Sequence, residues 1–218
     1  MADALRKPGR PKNPDLKTRR EAEILTAAAE LFAESGFANT SVQAIADRLR
    51  IGNGTIFSYF PTKETLFLAV VERGLADLTA TMDGVMARDE SPLKLLREAI
   101  RAYLRFFHDR PGLAEMFIQE RANFPHHHRP LYFSGKDDEE CRKHDDFYRR
   151  LQEGGVLRPM PQERFMAVVG DLLYGTIITN LLSGRTVDPE AQAEAVFDVL
   201  GRGILSDAER KRQSKSNT

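Results

Sequence analysis

The chain has 218 residues, 41% hydrophobic and 29% charged, with 32 basic and 32 acidic side chains that cancel. This is the composition of a globular protein with enough chain to bury a real core, and the zero net charge by itself gives no support to a nucleic-acid partner. No apolar run reaches the roughly eighteen residues needed to cross a membrane, no apolar leader is visible at the N-terminus, and the single Cys141 excludes an internal disulfide and fits a reducing cytoplasm.

The charge is unevenly placed. Arg6, Lys7, Arg10, Lys12, Lys17, Arg19 and Arg20 crowd the start of the chain against one Asp15, and Pro8, Gly9, Pro11 and Pro14 keep the first half of this run out of a helix. Residues 1–14 therefore read as a flexible basic arm, whose Gly-Arg-Pro step sets Arg10 up to enter a narrow minor groove. A first helix follows over residues 15–35, with Ile24, Ala28, Leu31 and Phe32 as its apolar stripe. Gly36 suits the left-handed residue that ends a helix, and Phe37 is then placed to fold back on Phe32.

Residues 40–60, TSVQAIADRLRIGNGTIFSYF, read as two short helices around a tight turn. Val42, Ile45, Ala46 and Leu49 recur at helical spacing, with Thr40 expected as the cap and Gln43 reaching back to it. Arg50, Ile51 and Gly52 make the turn. The second helix, over residues 53–59, turns Ile56 and Phe60 inward and Asn53, Thr55, Ser58 and Tyr59 outward, and Pro61 stops it. A short helix, a turn and a polar-faced second helix is the plan of a helix-turn-helix DNA reader. The expected base-reading set is Asn53, Thr55 and Ser58, with Phe57 able to touch a thymine methyl.

The stretch GNGTIFSYFPTKETLF resembles the recognition-helix signature of the TetR-like bacterial regulators, S-x-G-T-L-Y-x-Y-F-x-x-K-E-x-L. Gly54, Thr55, Tyr59, Phe60, Lys63, Glu64 and Leu66 match, and Ile56 is a like-for-like change. Gly52 stands where the family usually has a serine cap, Phe57 where it has tyrosine, and Arg50 where a turn glycine is common. The resemblance covers residues 16–70. It implies that Tyr59 and Lys63 hold phosphates, with Thr40, Ser41 and Gly52 at the same surface.

Beyond Pro61 the pattern is helix after helix, with no strand alternation. Thr62 is placed to cap a helix running to about Asp83, the only link between the reader and the rest. Further helices are expected from Pro92 to His108, from Pro111 to Asn123 and from Gly135 to Glu153, the last strongly charged, with a broken segment over residues 124–133. Tyr103, Phe106, Phe107, Met116, Phe117, Phe147, Tyr148, Met166, Leu173 and Tyr174 come from several of these helices. Each reads first as core; together they can line a cavity between helices. The resemblance implies an inducer pocket in this region, and the apolar lining points to a hydrophobic or aromatic effector.

The stretch Gln162 to Leu182 is apolar nearly all round, so it needs cover on several sides. The next helix, Pro189 to Leu205, offers a narrow apolar stripe. Gly170, Gly175, Ile177, Leu181, Val196, Val199 and Gly203 are the expected dimer contacts, and the resemblance implies a four-helix bundle made by these two helices from each copy. Residues 207–218 read as a disordered polar tail.

His126, His127, His128, Cys141 and His144 are the remaining candidates for chemistry. Cys141 and His144 are one helical turn apart and can share a ligand shell, but three consecutive histidines do not point one way in any regular structure. A solvated loop is the simpler reading, and no metal or cofactor is expected. No phosphate loop, nucleophile elbow or zinc-protease motif occurs, so no enzyme activity is expected.

The sequence thus predicts an all-α chain: an arm (1–14), a three-helix reader (15–62), a helical ligand-binding and dimerisation domain (63–206) and a tail (207–218). The function expected is a cytoplasmic homodimeric repressor, bound to a two-fold double-stranded operator and released by a small effector, with no membrane partner. The alternatives are a ligand-independent architectural DNA binder and a helical enzyme or carrier with a vestigial reader.

Overall fold

The computed structural model describes residues 14–124 and 138–216. The arm with Arg10, the three histidines 126–128 and the side chain of Cys141 lie outside them. The described residues form ten helices: α1 (Pro14–Asn39), α2 (Val42–Leu49), α3 (Asn53–Phe57), α4 (Lys63–Met86), α5 (Pro92–His108), α6 (Pro111–Asn123), α7 (Asp138–Glu153), α8 (Gln162–Ser183), α9 (Pro189–Ile204) and α10 (Asp207–Ser216). The β pairing among them is one isolated antiparallel bridge between Leu157 and Leu205.

Two compact units divide the chain between Val70 and Val71. The first takes in the opening residues of α4, because Leu66, Phe67 and Val70 are buried with Ile24, Phe32, Ile45 and Ile56 in its core. Phe32, Phe37 and Phe67 form an aromatic trio: the edge-on pairs to Phe67 have centroids 5.1 Å apart, and Phe32 and Phe37 lie 6.1 Å apart. Gly36 is the break that lets Phe37 turn back, with φ 76° and ψ 166°, a conformation open to glycine and strained for other residues.

In the second unit, α5 buries one whole face, from Leu95 to Phe107, and packs along α9. Ion pairs line this contact: Arg97 and Arg101 reach Glu194, the latter at 2.7 Å, and Arg105 reaches Glu190 at 3.1 Å. Where α4 passes α6, a Cβ at Gly74 would stand 2.5 Å from a Leu113 methyl, so these helices approach as closely as they do because Gly74 has no side chain.

Two expectations are corrected here. Helix α8 is, by length and composition, long and apolar enough to cross a bilayer, and only 17% of its most apolar stretch is buried. The sequence reading missed this because isolated polar residues interrupt the apolar run. The expected disordered tail is helical over α10: Ser206 caps it, accepting from Glu209 N at 3.1 Å, Asp207 and Glu209 suit the positive end, and Arg212 pairs with Glu209 at 3.0 Å.

Candidate nucleic-acid interface

The reader is assembled by its turn. Helix α2 starts at Ser41, whose Oγ accepts from Ala44 N at 3.0 Å. Ser41, not Thr40, is therefore the cap. It ends in paired backbone bonds, Ile51 N to Ala46 O (3.0 Å) and Arg50 N to Asp47 O (3.1 Å), which require a left-handed residue between them. Arg50 fills that role at φ 54°, ψ 44°, which costs an L-residue about 1–2 kcal/mol. Arg48 ties α2 to α1 through Glu30 at 2.7 Å and Glu34 at 3.5 Å.

Helix α3 is one turn and a half, extended through Ser58 N to Gly54 O and Phe60 N to Ile56 O. Ile56 and Phe60 are buried, while Phe57 leaves 46% of its surface exposed. Gly52 and Gly54 have open space where a side chain would be. Ser58 is exposed, Thr55 and Tyr59 are half-buried, and the Ser58 hydroxyl donates to Thr55 O at 2.6 Å.

Three expected contacts are placed differently. Thr40 is buried, its hydroxyl 2.8 Å from Gly36 O and 3.0 Å from Leu31 O; it closes the end of α1 and has no free side chain for a phosphate. Lys63 turns its ammonium onto the carbonyls of Phe37 (2.8 Å) and Thr40 (3.1 Å) and over the Phe37 ring, 4.3 Å from its centroid. Its positive charge thus neutralises the exposed carbonyls at the end of α1. Asn53 donates to Gln43 Oε1 at 2.5 Å, and Gln43 donates to Asp47 at 2.6 Å; its own Oδ1 is buried without a hydrogen bond among the described residues. Gln43, exposed on α2 beside Asn53, shares this surface and was missed. Its outward position in α2, opposite Ile45 and Ala46, was the available signal.

Residues 24–70 match the family model described as bacterial regulatory proteins, tetR family. They form a TetR-family helix-turn-helix domain. The chain is 31% identical to the HTH-type transcriptional regulator RutR of Escherichia coli K12 over 101 residues, 46% of this chain and 47% of that one. It is 26% identical to the HTH-type transcriptional activator FasR of Mycolicibacterium smegmatis over half of each chain. The chain thus spans about half the length of these curated relatives. Over most of its length it shares its fold with the fatty acid degradation regulator FadR from Bacillus halodurans, at a TM-score of 0.66 and 16% identity over 88% of this chain and 96% of that one. The TetR family transcriptional regulator PfmR from Thermus thermophilus is similar at 0.64 and 24%, over 82% and 97%.

In the second unit, most of the predicted aromatic residues are packed in the core. Tyr103, Phe106, Phe107 and Phe117 form a run of ring contacts at 5.1–5.8 Å, with Tyr174 stacked on Phe117 at 6.4 Å. Tyr148 packs on Phe165 at 5.7 Å, and its hydroxyl donates to Met160 O. Met116, Phe147 and Leu173 are buried, and Met166 is half-buried. Burial, then the charge of the buried Glu120, raise the Tyr174 pKa, so its phenol stays protonated. The cleft of about 350 Å³ in this unit lies at the α8–α9 turn, and of the ten predicted lining residues only Phe107 borders it. The other nine sit deeper in the core or along other helix faces.

The predicted dimer contacts divide between two sides. Ile177 and Val196 are buried inside the unit, Gly170 is half-buried with open space where a side chain would be, and Leu181 borders the cleft. Ile177 and Val196 are corrected: a helix apolar all round has an inner face too, and periodicity alone does not say which side is inner. Gly175 lies half a turn from Ile177. Along that outer side run Val168 (48% exposed) and Leu182 (71%), and on α9 Val199 (66%) and the exposed Gly203. Among the described residues no group of three or more metal-ligating side chains occurs.

Proposed function

We propose that the protein is a cytoplasmic, sequence-specific transcriptional repressor that acts as a homodimer on a two-fold operator and leaves it when a small molecule occupies the second unit. The observation that carries this reading is the outer face of α3. Phe57 stands nearly half exposed beside Ser58, and Gly52 and Gly54 leave room for a DNA backbone to come close. An isolated helical hairpin has no use for an exposed phenylalanine, whereas a major groove offers it a thymine methyl. Thr55 and Ser58 supply polar contacts to base edges, Gln43 and Asn53 act as one linked amide pair, and Ser41 and Tyr59 hold phosphates.

The dimer rests on the outer stripe of α8 and α9, where Val168, Leu182 and Val199 leave apolar surface that a second copy covers. Two copies set two readers on successive turns of DNA, about 34–36 Å apart. Release follows if a ligand favours one arrangement of the second unit, since α4 runs unbroken from one unit to the other.

The test compares variants on a panel of operator sequences. Thr55→Ala and Phe57→Ala are expected to change sequence preference, and Tyr59→Phe to lower affinity evenly. Loss in the same pattern for all three contradicts the assignment.

A further inference from the structure

We infer that the cleft at the α8–α9 turn binds an amphipathic carboxylate, with its tail on the apolar floor and its head on Arg185. The cleft, about 350 Å³, is floored by Phe107, Ala114 and Ile177 and rimmed by His108 and Arg185. That volume lies within the range of small-molecule sites, which combine an apolar lining with a few placed polar groups.

The rim chooses the head group. Arg185 is exposed, and among the described residues its guanidinium has no carboxylate partner. The acids nearest in sequence are already engaged: Glu190 holds Arg105, and the Asp188 carboxylate accepts from Ala191 N at 3.0 Å as the cap of α9. The two amides at the cleft, Asn180 and Gln192, bond each other at 2.7 and 3.2 Å. The remaining side-chain donors at the cleft are the Thr186 hydroxyl, the His108 imidazole and the Arg185 guanidinium; the guanidinium alone carries a permanent charge, which selects an anion, and it receives a carboxylate through two parallel hydrogen bonds.

The position of Arg185 is fixed. Helix α8 ends on Gly184 at φ 62°, and the Gly184 and Arg185 N–H groups bond back to Leu181 O (3.2 Å) and Asn180 O (3.0 Å). The turn holds the Arg185 backbone at the mouth of the cleft. Ile177 faces this cleft while Val168 and Leu182 face the opposite side of α8, so pairing of two copies on the outer stripe leaves the site open.

The role of this site as the effector site rests on the regulatory reading above; its occupancy does not. Titration calorimetry on the full chain, with decanoate below its micellar concentration and decanol and decylamine as matched probes, tests it. Saturable binding of decanoate is expected, with decanol and decylamine weaker by about 10-fold or more. Arg185→Gln is expected to weaken decanoate about 10- to 100-fold and leave decanol unchanged, and Arg185→Lys to recover part of the loss. Equal affinity for decanoate and decanol, non-saturable uptake, no decanoate binding, or an unaffected Arg185→Gln variant overturns the inference. Operator binding with and without decanoate separates the two readings. Decanoate binding without any operator binding keeps the site and removes the regulatory reading; operator binding without decanoate binding does the reverse.

Discussion

The ammonium of Lys63 sits 2.8 Å from the carbonyl oxygen of Phe37 and 4.3 Å from the centroid of the same residue's ring. One side chain from the start of α4 thus closes the end of α1, reaches Thr40 O at 3.1 Å, and fixes where α2 begins. The residue that the family resemblance assigns to phosphate is here a fastener of the reader's own backbone.

Lys63→Met is accordingly expected to lower stability by about 1.5–3 kcal/mol, the range for hydrogen bonds to a charged group. Urea unfolding followed by circular dichroism reads this directly. Unchanged stability with evenly weakened DNA binding would restore the phosphate role.

Arg50→Gly should stabilise the protein by about 1 kcal/mol, because glycine adopts the left-handed turn conformation without the Cβ clash. The gain is partly offset by the greater freedom of glycine in the unfolded chain. A destabilised Arg50→Gly variant would mean that the Arg50 side chain makes contacts that outweigh its backbone strain.

Val199→Asp or Leu182→Asp should prevent the proposed dimer from forming while leaving each copy folded, since both residues are exposed on the outer stripe. Ile177→Asp, by contrast, puts a charge at a buried site and should cost about 3 kcal/mol or more of stability. Sedimentation paired with thermal unfolding distinguishes the two. If Val199→Asp stays dimeric, the interface lies elsewhere.

Deleting residues 1–13 removes Arg6, Lys7, Arg10 and Lys12. The dependence of log affinity on log salt should flatten by about 0.9 for each phosphate that the arm no longer neutralises. An unchanged slope would make the arm a passive tail.

Much of this was readable from residue pattern. The helix-turn-helix, the fold of Phe37 onto Phe32, and Thr62 as the cap of α4, accepting from Thr65 N at 3.0 Å, follow from spacing and local chemistry. What was not readable depends on side chains that reach across the fold. Lys63 and Phe37 are distant in sequence, so no local rule links that ammonium to those carbonyls. The shift of the cap from Thr40 to Ser41 hinges on a single residue of register, and both residues are good caps. The aromatic residues of the second unit could be read as apolar and internal from their spacing, but that pattern does not distinguish a packed core from a lined cavity. The cleft at the α8–α9 turn was not readable at all, because Gly184 and Arg185 carry no periodic signal.

The central claim is that α3 reads sequence as one half of a two-fold pair. Selection of bound duplexes from a randomised DNA pool by the full chain, followed by affinity measurement at fixed salt, tests it most directly. Enrichment of a two-fold site is expected, bound about 10³-fold or more tighter than unrelated DNA, with preference altered by Thr55→Ala. Equal affinity for selected and unrelated duplexes, falling together as salt rises, would contradict it.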